Sequence, residues 1–195
     1  KDFLKNSGTL SITQTDLEIL GSIKITTNDN VLSFESLNLN NFTITLGSET
    51  SDLTIQNNVT IDSTTEGIVT ASADFNLSGM LNISNGTLSS SSGEISILGG
   101  VQISGTGVFD LSGSTWSLGG DFIKSAGTIN TSETNLHLKA NSSLTSNEAL
   151  NFIDLDLNDF ALTLGSGTSD ISVQSAVVID TNTEAIITGD SDLNL

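Results

Sequence analysis

The chain has no cysteine, proline, tyrosine or arginine, and it has a single tryptophan and a single histidine. Without cysteine, the protein forms neither a disulfide nor a thiolate metal site. Without proline, every residue can donate a backbone hydrogen bond to a β-ladder. These absences exclude disulfide-rich and zinc-ribbon folds and permit long, regular β-structure.

Positive charge is also scarce. Five lysines stand against 23 acidic residues, and the formal net charge is −18. A nucleic-acid-binding protein needs basic side chains to neutralise phosphates, and an anionic membrane surface repels a strongly acidic chain. No apolar run in the sequence is long enough to span a bilayer. We therefore expect no nucleic-acid partner and no membrane span.

The chain contains an internal repeat, which has to be interpreted before any secondary structure is assigned. Residues 34–77 align without a gap with residues 152–195, about 118 residues later, and roughly half of the aligned residues are identical. Upstream, residues 2–5 (Asp-Phe-Leu-Lys) match residues 121–124 (Asp-Phe-Ile-Lys). The sequence predicts one continuous unit over 1–195, with a first repeat at 2–120 and a partial second repeat at 121–195. We expect the array to continue in a longer chain.

Apolar and polar residues alternate in short bursts along the whole chain, which indicates strands with one buried face. Glycine, asparagine, serine and aspartate separate the bursts, as they do at turns. No stretch shows the 3.6-residue period of a helix. The bursts include Leu10-Ser-Ile12, Phe42-Thr-Ile44-Thr-Leu46, Leu81-Asn-Ile83, Val101-Gln-Ile103 and Trp116-Ser-Leu118.

The bursts also return at a regular interval of about 20 residues, with three bursts in each interval; one series is Phe75, Ile95, Trp116, Leu136 and Leu155. A parallel β-helix requires this recurrence, because each coil stacks its inward side chains on those of the next coil. A sandwich or barrel of antiparallel hairpins also has many short strands but needs no fixed interval. The sequence predicts an all-β parallel β-helix with about 20 residues and three short strands per coil, and roughly nine to ten coils.

The segment from Trp116 to Ile129, WSLGGDFIKSAGTI, resembles repeats of very large bacterial surface proteins. Their fold resembles the right-handed parallel β-helix of filamentous-haemagglutinin-type adhesins. The likeness covers essentially the whole chain and rests on composition and rhythm. It implies a right-handed β-solenoid in a secreted, cell-surface stalk or adhesin repeat, and it transfers no active-site residue.

Two acidic residues on one predicted strand, Asp154 and Asp156, are the first candidates for a catalytic or metal-binding site. Alternation places both carboxylates on the outer face, where such a pair can hold Ca²⁺ or act in polysaccharide cleavage. The first repeat has Ser36 and Asn38 at these positions, and the chain has no arginine to assist catalysis. We expect no enzyme activity, with a polysaccharide lyase or hydrolase as the weaker alternative.

The only histidine, His137, lies on the predicted strand Leu136-His-Leu138, and we expect it to face solvent. A histidine without a second histidine or a cysteine nearby makes a poor metal site and a poor catalytic triad.

Acidic residues that recur in both copies form a second group of candidates. They are the pairs Asp52/Asp170, Asp62/Asp180, Glu66/Glu184 and Asp74/Asp192. Carboxylates repeated at loops can bind Ca²⁺ once per unit, but the glycine-rich nonapeptide of calcium-binding β-helices is missing. The simpler hypothesis is that they accept backbone hydrogen bonds at corners. We expect no cofactor, with Asp62, Asp180, Asp154 and Asp156 as weak calcium candidates.

These patterns favour a structural function. Coils stacked end to end would form an acidic extracellular fibre or stalk at the bacterial cell surface, with neighbouring repeats or other copies as partners. An adhesin-type module that binds glycans or a host surface is the alternative. An ice-binding solenoid is weaker still, because the chain does not sustain the Thr-x-Thr spacing of Thr43 and Thr45 in a regular column.

Overall fold

The computed structural model describes residues 2–5, 15–27, 31–47, 52–165, 169–180 and 184–195. These residues form 25 strands and no helix. The predicted strand at residues 10–12 lies outside the described ranges. In chain order the strands are β1 (Phe3–Lys5), β2 (Asp16–Glu18), β3 (Ile23–Thr27), β4 (Leu32–Phe34), β5 (Ser36–Asn38), β6 (Thr43–Leu46), β7 (Leu53–Ile55), β8 (Val59–Ile61), β9 (Gly67–Ala71), β10 (Phe75–Leu77), β11 (Leu81–Ile83), β12 (Thr87–Ser90), β13 (Glu94–Ile97), β14 (Val101–Ile103), β15 (Val108–Asp110), β16 (Thr115–Leu118), β17 (Phe122–Lys124), β18 (Thr128–Asn130), β19 (Asn135–Leu138), β20 (Ser142–Ser146), β21 (Leu150–Asp156), β22 (Ala161–Leu164), β23 (Ile171–Val178), β24 (Ala185–Ile187) and β25 (Leu193–Asn194).

Every strand pair among the described residues is parallel, which excludes the sandwich of hairpins. The strands stack into three sheets, here called faces. Face 1 has the order β1-β3-β6-β9-β12-β15-β18, face 2 the order β4-β7-β10-β13-β16-β19-β21-β23-β25, and face 3 the order β8-β11-β14-β17-β20-β22-β24. The pair β2–β5 lies against β8 and extends face 3.

The chain is therefore a β-solenoid, as predicted. From β3 to β20 the described strands cross faces 1, 2 and 3 in turn. A coil has about 21 residues, and about eight coils are stacked. The expected nine to ten coils are too many for the described residues, because the coils are longer than 20 residues and several segments lie outside the described ranges. The right-handedness of the coil stays a prediction.

Inward side chains form apolar columns through successive coils. In face 2, Leu53, Phe75, Ile95, Trp116 and Leu136 stand in register on five neighbouring strands, and each is completely buried. Burying one such side chain stabilises the folded state by about 1.5–3 kcal/mol. The column forms only when neighbouring coils are present, so the coils depend on one another.

The centre of the core is aromatic. The Trp116 ring lies edge-on to Phe109, with centroids 5.5 Å apart, and edge-on to Phe122 at 5.3 Å. Phe152 is tilted against the same indole at 6.4 Å. Such T-shaped contacts add to the stabilisation from burial.

In the last coils, two faces are formed by one long strand instead of by two separate strands. In β21, residues 150–152 follow face 1, where the N–H of Asn151 donates to Oγ1 of Thr131 at 3.2 Å, just beyond β18. Residues 155–156 pair with β19 on face 2. A register shift between Phe152 and Asp154 separates the two halves. β21, and β23 stacked on it, therefore each span two faces.

The two repeats occupy different faces. The first-repeat strands β1, β3, β6 and β9 are consecutive in face 1, whereas their counterparts β17, β20, β22 and β24 are consecutive in face 3. The registers are equivalent, since Phe3 pairs with Ile25 and Phe122 pairs with Leu144. From β1 to β17 the chain makes five full coils and crosses two further faces. The second repeat is thus rotated by one face relative to the first.

Candidate functional site

Three carboxylates of the second repeat converge at one corner of the solenoid. One ligand oxygen from each of Asp159, Asp180 and Glu184 lies within 4.8 Å of the others. Asp159 belongs to the turn between β21 and β22, where its φ is 73°. Asp180 follows β23, and Glu184 directly precedes β24. Two neighbouring coils therefore supply the group.

Glu184 is the buried member, 9% exposed, and both of its carboxylate oxygens accept backbone hydrogen bonds. Oε1 accepts the N–H of Asp159 at 2.7 Å, and Oε2 accepts the N–H of Asp180. The carboxylate therefore joins two turns that lie on adjacent coils. We call this arrangement the glutamate clamp.

The first repeat has the same clamp at Glu66, which is 8% exposed. Its Oε1 accepts the N–H of Asn41 at 2.9 Å. Its Oε2 accepts the N–H of Asp62 at 2.9 Å and that of Ser63 at 3.2 Å. A buried carboxylate with these donors is satisfied by the protein itself.

The two copies differ in the number of acids. Asn41 stands in the first repeat where Asp159 stands in the second. Among the described residues, the first corner therefore has two carboxylates, those of Asp62 and Glu66. Calcium takes six to eight oxygen ligands, mostly from carboxylates and carbonyls. The clamp is common to both repeats, whereas a set of three carboxylates belongs to the second alone. Four residues were weak calcium candidates from the sequence: Asp62, Asp180, Asp154 and Asp156. Of these, Asp180 belongs to the set of three carboxylates, and Asp62 belongs to the two-carboxylate corner of the first repeat.

The other two sequence candidates lie apart from this group. Oδ1 of Asp154 accepts the N–H of Ala176 on the next coil at 3.0 Å, and Oδ1 of Asp156 accepts the N–H of Asn158 in its own turn at 3.0 Å. Both flank the buried Leu155, so they lie on the outer side of β21 as predicted. Each carboxylate fixes a backbone amide.

A third set of acids forms a stack. The N–H of Asp74 donates to Oδ1 of Asp52 at 3.0 Å, and the N–H of Glu94 donates to Oδ1 of Asp74 at 2.7 Å. Burial raises the pKa of the Asp74 carboxyl, the hydrogen bond from Glu94 lowers it, and the charges of Asp52 and Glu94 raise it again, with a net rise. In the second repeat the N–H of Asp192 donates to Oδ1 of Asp170 at 2.8 Å.

His137 is half-buried and lies in register between Ser117 and Asp156, so that serine, histidine and aspartate follow one another on three coils. A nucleophilic serine must donate its proton to the histidine and must be reachable. Ser117 is completely buried, and its hydroxyl donates to Oε1 of Glu94 at 2.5 Å. The row therefore does not form a catalytic triad.

Lys124 is a buried cation that we did not predict. It is 2% exposed, its Nζ donates to Oδ1 of Asn147 at 2.5 Å, and it forms an ion pair with Oε1 of Glu148 at 2.9 Å. The alternation in Phe122-Ile-Lys124 was a usable signal, because it places the lysine on the inward side of β17 together with the phenylalanine. The polar contacts on the next coil make this burial tolerable.

An apolar groove lies at the edge formed by β1 and β2. Its volume is about 290 Å³, and its lining includes Phe3, Leu17, Ile19, Ile23 and Phe34.

No protein-family profile matches the chain, and no curated protein or solved structure is significantly similar to it. The described part of the chain contains no helix long and apolar enough to cross a membrane.

Proposed function

We propose that the chain is a structural tandem-repeat segment of a secreted or cell-surface bacterial fibre, of the kind found in filamentous-haemagglutinin-type adhesins. The observation that carries the proposal is the continuity of the stack across the repeat boundary. β14 of the first repeat pairs with β17 of the second, with Val101 opposite Phe122. The boundary between the repeats is an ordinary coil-to-coil contact, so further repeats can be added without a new kind of interface.

The chemistry of the acidic residues supports the same function. Glu66, Glu184, Asp74 and Asp154 all accept backbone N–H groups and tie neighbouring segments together. These contacts fix the coils rather than expose reactive groups. The net charge of −18 favours solubility outside the cell and opposes lateral aggregation of rods.

The length of the particle tests the proposal. Adjacent strands are ~4.8 Å apart, so five coils and two faces add roughly 27 Å per repeat. Chains with two, four and six repeats should appear in electron micrographs as rods whose length rises linearly, by that increment for each added repeat. Rods of constant length, or globular particles, would contradict a fibre. Sedimentation of the chain at increasing concentration should also show end-to-end association through open strand edges.

A further inference from the structure

The groove at the β1–β2 edge has a counterpart inside the molecule, and there it is filled. Phe122 and Phe152 stand in the second repeat where Phe3 and Phe34 stand in the first. Trp116 lies against both, with ring centroids 5.3 Å from Phe122 and 6.4 Å from Phe152. The indole at the end of the first repeat thus occupies the groove at the start of the second.

Burial changes accordingly between the two copies. Phe122 is completely buried, whereas Phe3 is 38% exposed. Leu136 is completely buried, whereas its counterpart Leu17 is only partly buried against the core. The side chains are the same or similar in the two copies, so the difference comes from the coil that covers the second.

The strand edges agree with the side chains. In the second repeat, β17 pairs with β14 and β19 pairs with β16, which places Trp116 opposite Leu136. Their first-repeat counterparts β1 and β2 each end a sheet among the described strands, with β3 and β5 as their pairing partners. At the start of the first repeat, these two edges therefore have no pairing partner among the described strands.

We propose that this groove is a socket for the tryptophan side chain of a preceding repeat of the same kind, carried in a coil equivalent to residues 101–120. The proposal rests on the fibre function and adds the partner, the register and the central contact. In the joint, Val101 of the preceding repeat pairs with Phe3, and its Trp116 pairs with Leu17. The partner is rotated by one face, because β14 lies in face 3 and β1 in face 1.

The test uses the whole chain, extended by one coil. A copy of residues 101–120 is joined to Asp2, as Gly120 is joined to Asp121. Trp116 at its own position is replaced by phenylalanine, so that the added tryptophan is the only one. The matched control carries alanine in place of the added tryptophan. Circular dichroism confirms that both chains keep their β-structure.

We expect the added indole to show blue-shifted emission and weak quenching by acrylamide. The amides of residues 3–5 and 16–18 should exchange at least tenfold more slowly in the tryptophan extension than in the unextended chain. The alanine control should lose most of this protection, because the socket remains empty.

Other outcomes separate the socket from the fibre. An indole with the emission of a solvent-exposed residue, or equal protection in the alanine control, overturns the socket and leaves coil stacking intact. No protection in either extended chain overturns both.

Discussion

Asp74 stands directly above Asp52, with its N–H donating to Oδ1 of the lower carboxylate at 3.0 Å. The hydrogen bond aligns two acids at the spacing of adjacent coils, where like charges repel. Burial, and then the charges of Asp52 and Glu94, raise the pKa of Asp74 in the folded protein, so the folded state binds its proton more tightly than the unfolded state does. The resulting stabilisation is fully present below the unfolded pKa, about 3.9, and is lost as the pH rises through the folded value.

The substitution Asp74→Asn should therefore stabilise the protein at pH 7. It removes the charge and keeps an oxygen that can accept the N–H of Glu94. We expect a gain of less than about 1 kcal/mol in the free energy of unfolding, typical of partly exposed charges, and no gain at pH 3. Urea unfolding at pH 7 and at pH 3 measures the change in the free energy of unfolding. The control is Asp121→Asn, whose carboxylate accepts the N–H of Ser143 at 2.9 Å without a stacked acid; equal effects of the two substitutions would contradict the interpretation.

The glutamate clamp should be sensitive to a neutral isostere. In Glu66→Gln one oxygen becomes an amide donor, which faces backbone N–H groups that need an acceptor. A buried donor left unsatisfied costs about 1–3 kcal/mol, and urea unfolding should show a loss in that range. Glu35→Gln is the control, because Glu35 is exposed, and it should have little effect. A clamp mutant as stable as the control would show that the hydrogen bonds are dispensable.

Calcium should have little influence on stability. Both oxygens of Glu184 already accept backbone N–H groups, and Asn41 replaces the third acid of this corner in the first repeat. We expect the same thermal midpoint in EDTA and in millimolar CaCl₂. A higher midpoint in calcium that disappears in Asp180→Asn would instead establish a cation site at Asp159, Asp180 and Glu184.

Trp116 should be the most costly core residue to truncate. Trp116→Ala removes its contacts with three phenylalanines and should lower the free energy of unfolding by about 3–5 kcal/mol. Trp116→Phe should cost clearly less, because phenylalanine keeps an aromatic ring in the same space. Neither substitution loses a hydrogen bond, since the buried indole N–H finds no partner among the described residues. Urea unfolding followed by circular dichroism compares the two variants, and equal losses would contradict a stabilising role of ring packing at this position.

Glycine is required where two coils touch through their backbones. A Cβ on Gly93 would fall on the carbonyl oxygen of Ala73 one coil below, whereas a Cβ on Gly21 would meet nothing within 4 Å. Gly93→Ala should cost about 1–3 kcal/mol through overpacking, and Gly21→Ala should be nearly neutral. Thermal unfolding of the two variants checks this, and a tolerant Gly93 would mean that the coils can separate locally.

Much of the architecture could be predicted because inward residues must stack. The interval of the series Phe75, Ile95, Trp116 and Leu136 predicts a stack, and in the structure these residues form a single column. The rotation of the repeats could not be predicted. At 20 residues per coil, a repeat of about 118 residues makes nearly six coils, so the next repeat would begin on the same face. At about 21 residues per coil, the repeat ends one face earlier. An error of one residue in the predicted coil length is therefore enough to hide the rotation.

The candidate site was only partly predictable for a different reason. The recurrence of Asp180 and Glu184 in both copies marks them as candidates in the sequence. Asp159 has no such mark, because Asn41 replaces it in the first repeat, and its contact with Glu184 spans 25 residues. Hydrogen bonds between coils depend on the backbone geometry of the corners, and the spacing of apolar residues in the sequence does not predict that geometry.

The one-face rotation between repeats gives a long array a screw symmetry. A given side chain moves to the next side of the rod with each repeat and returns to its starting side only after three. Three repeats correspond to 17 coils, or roughly 80 Å at the usual strand spacing. A flat surface lying along the rod would therefore meet identical residues at intervals of that length, whereas a partner that winds around the rod would meet them at every repeat.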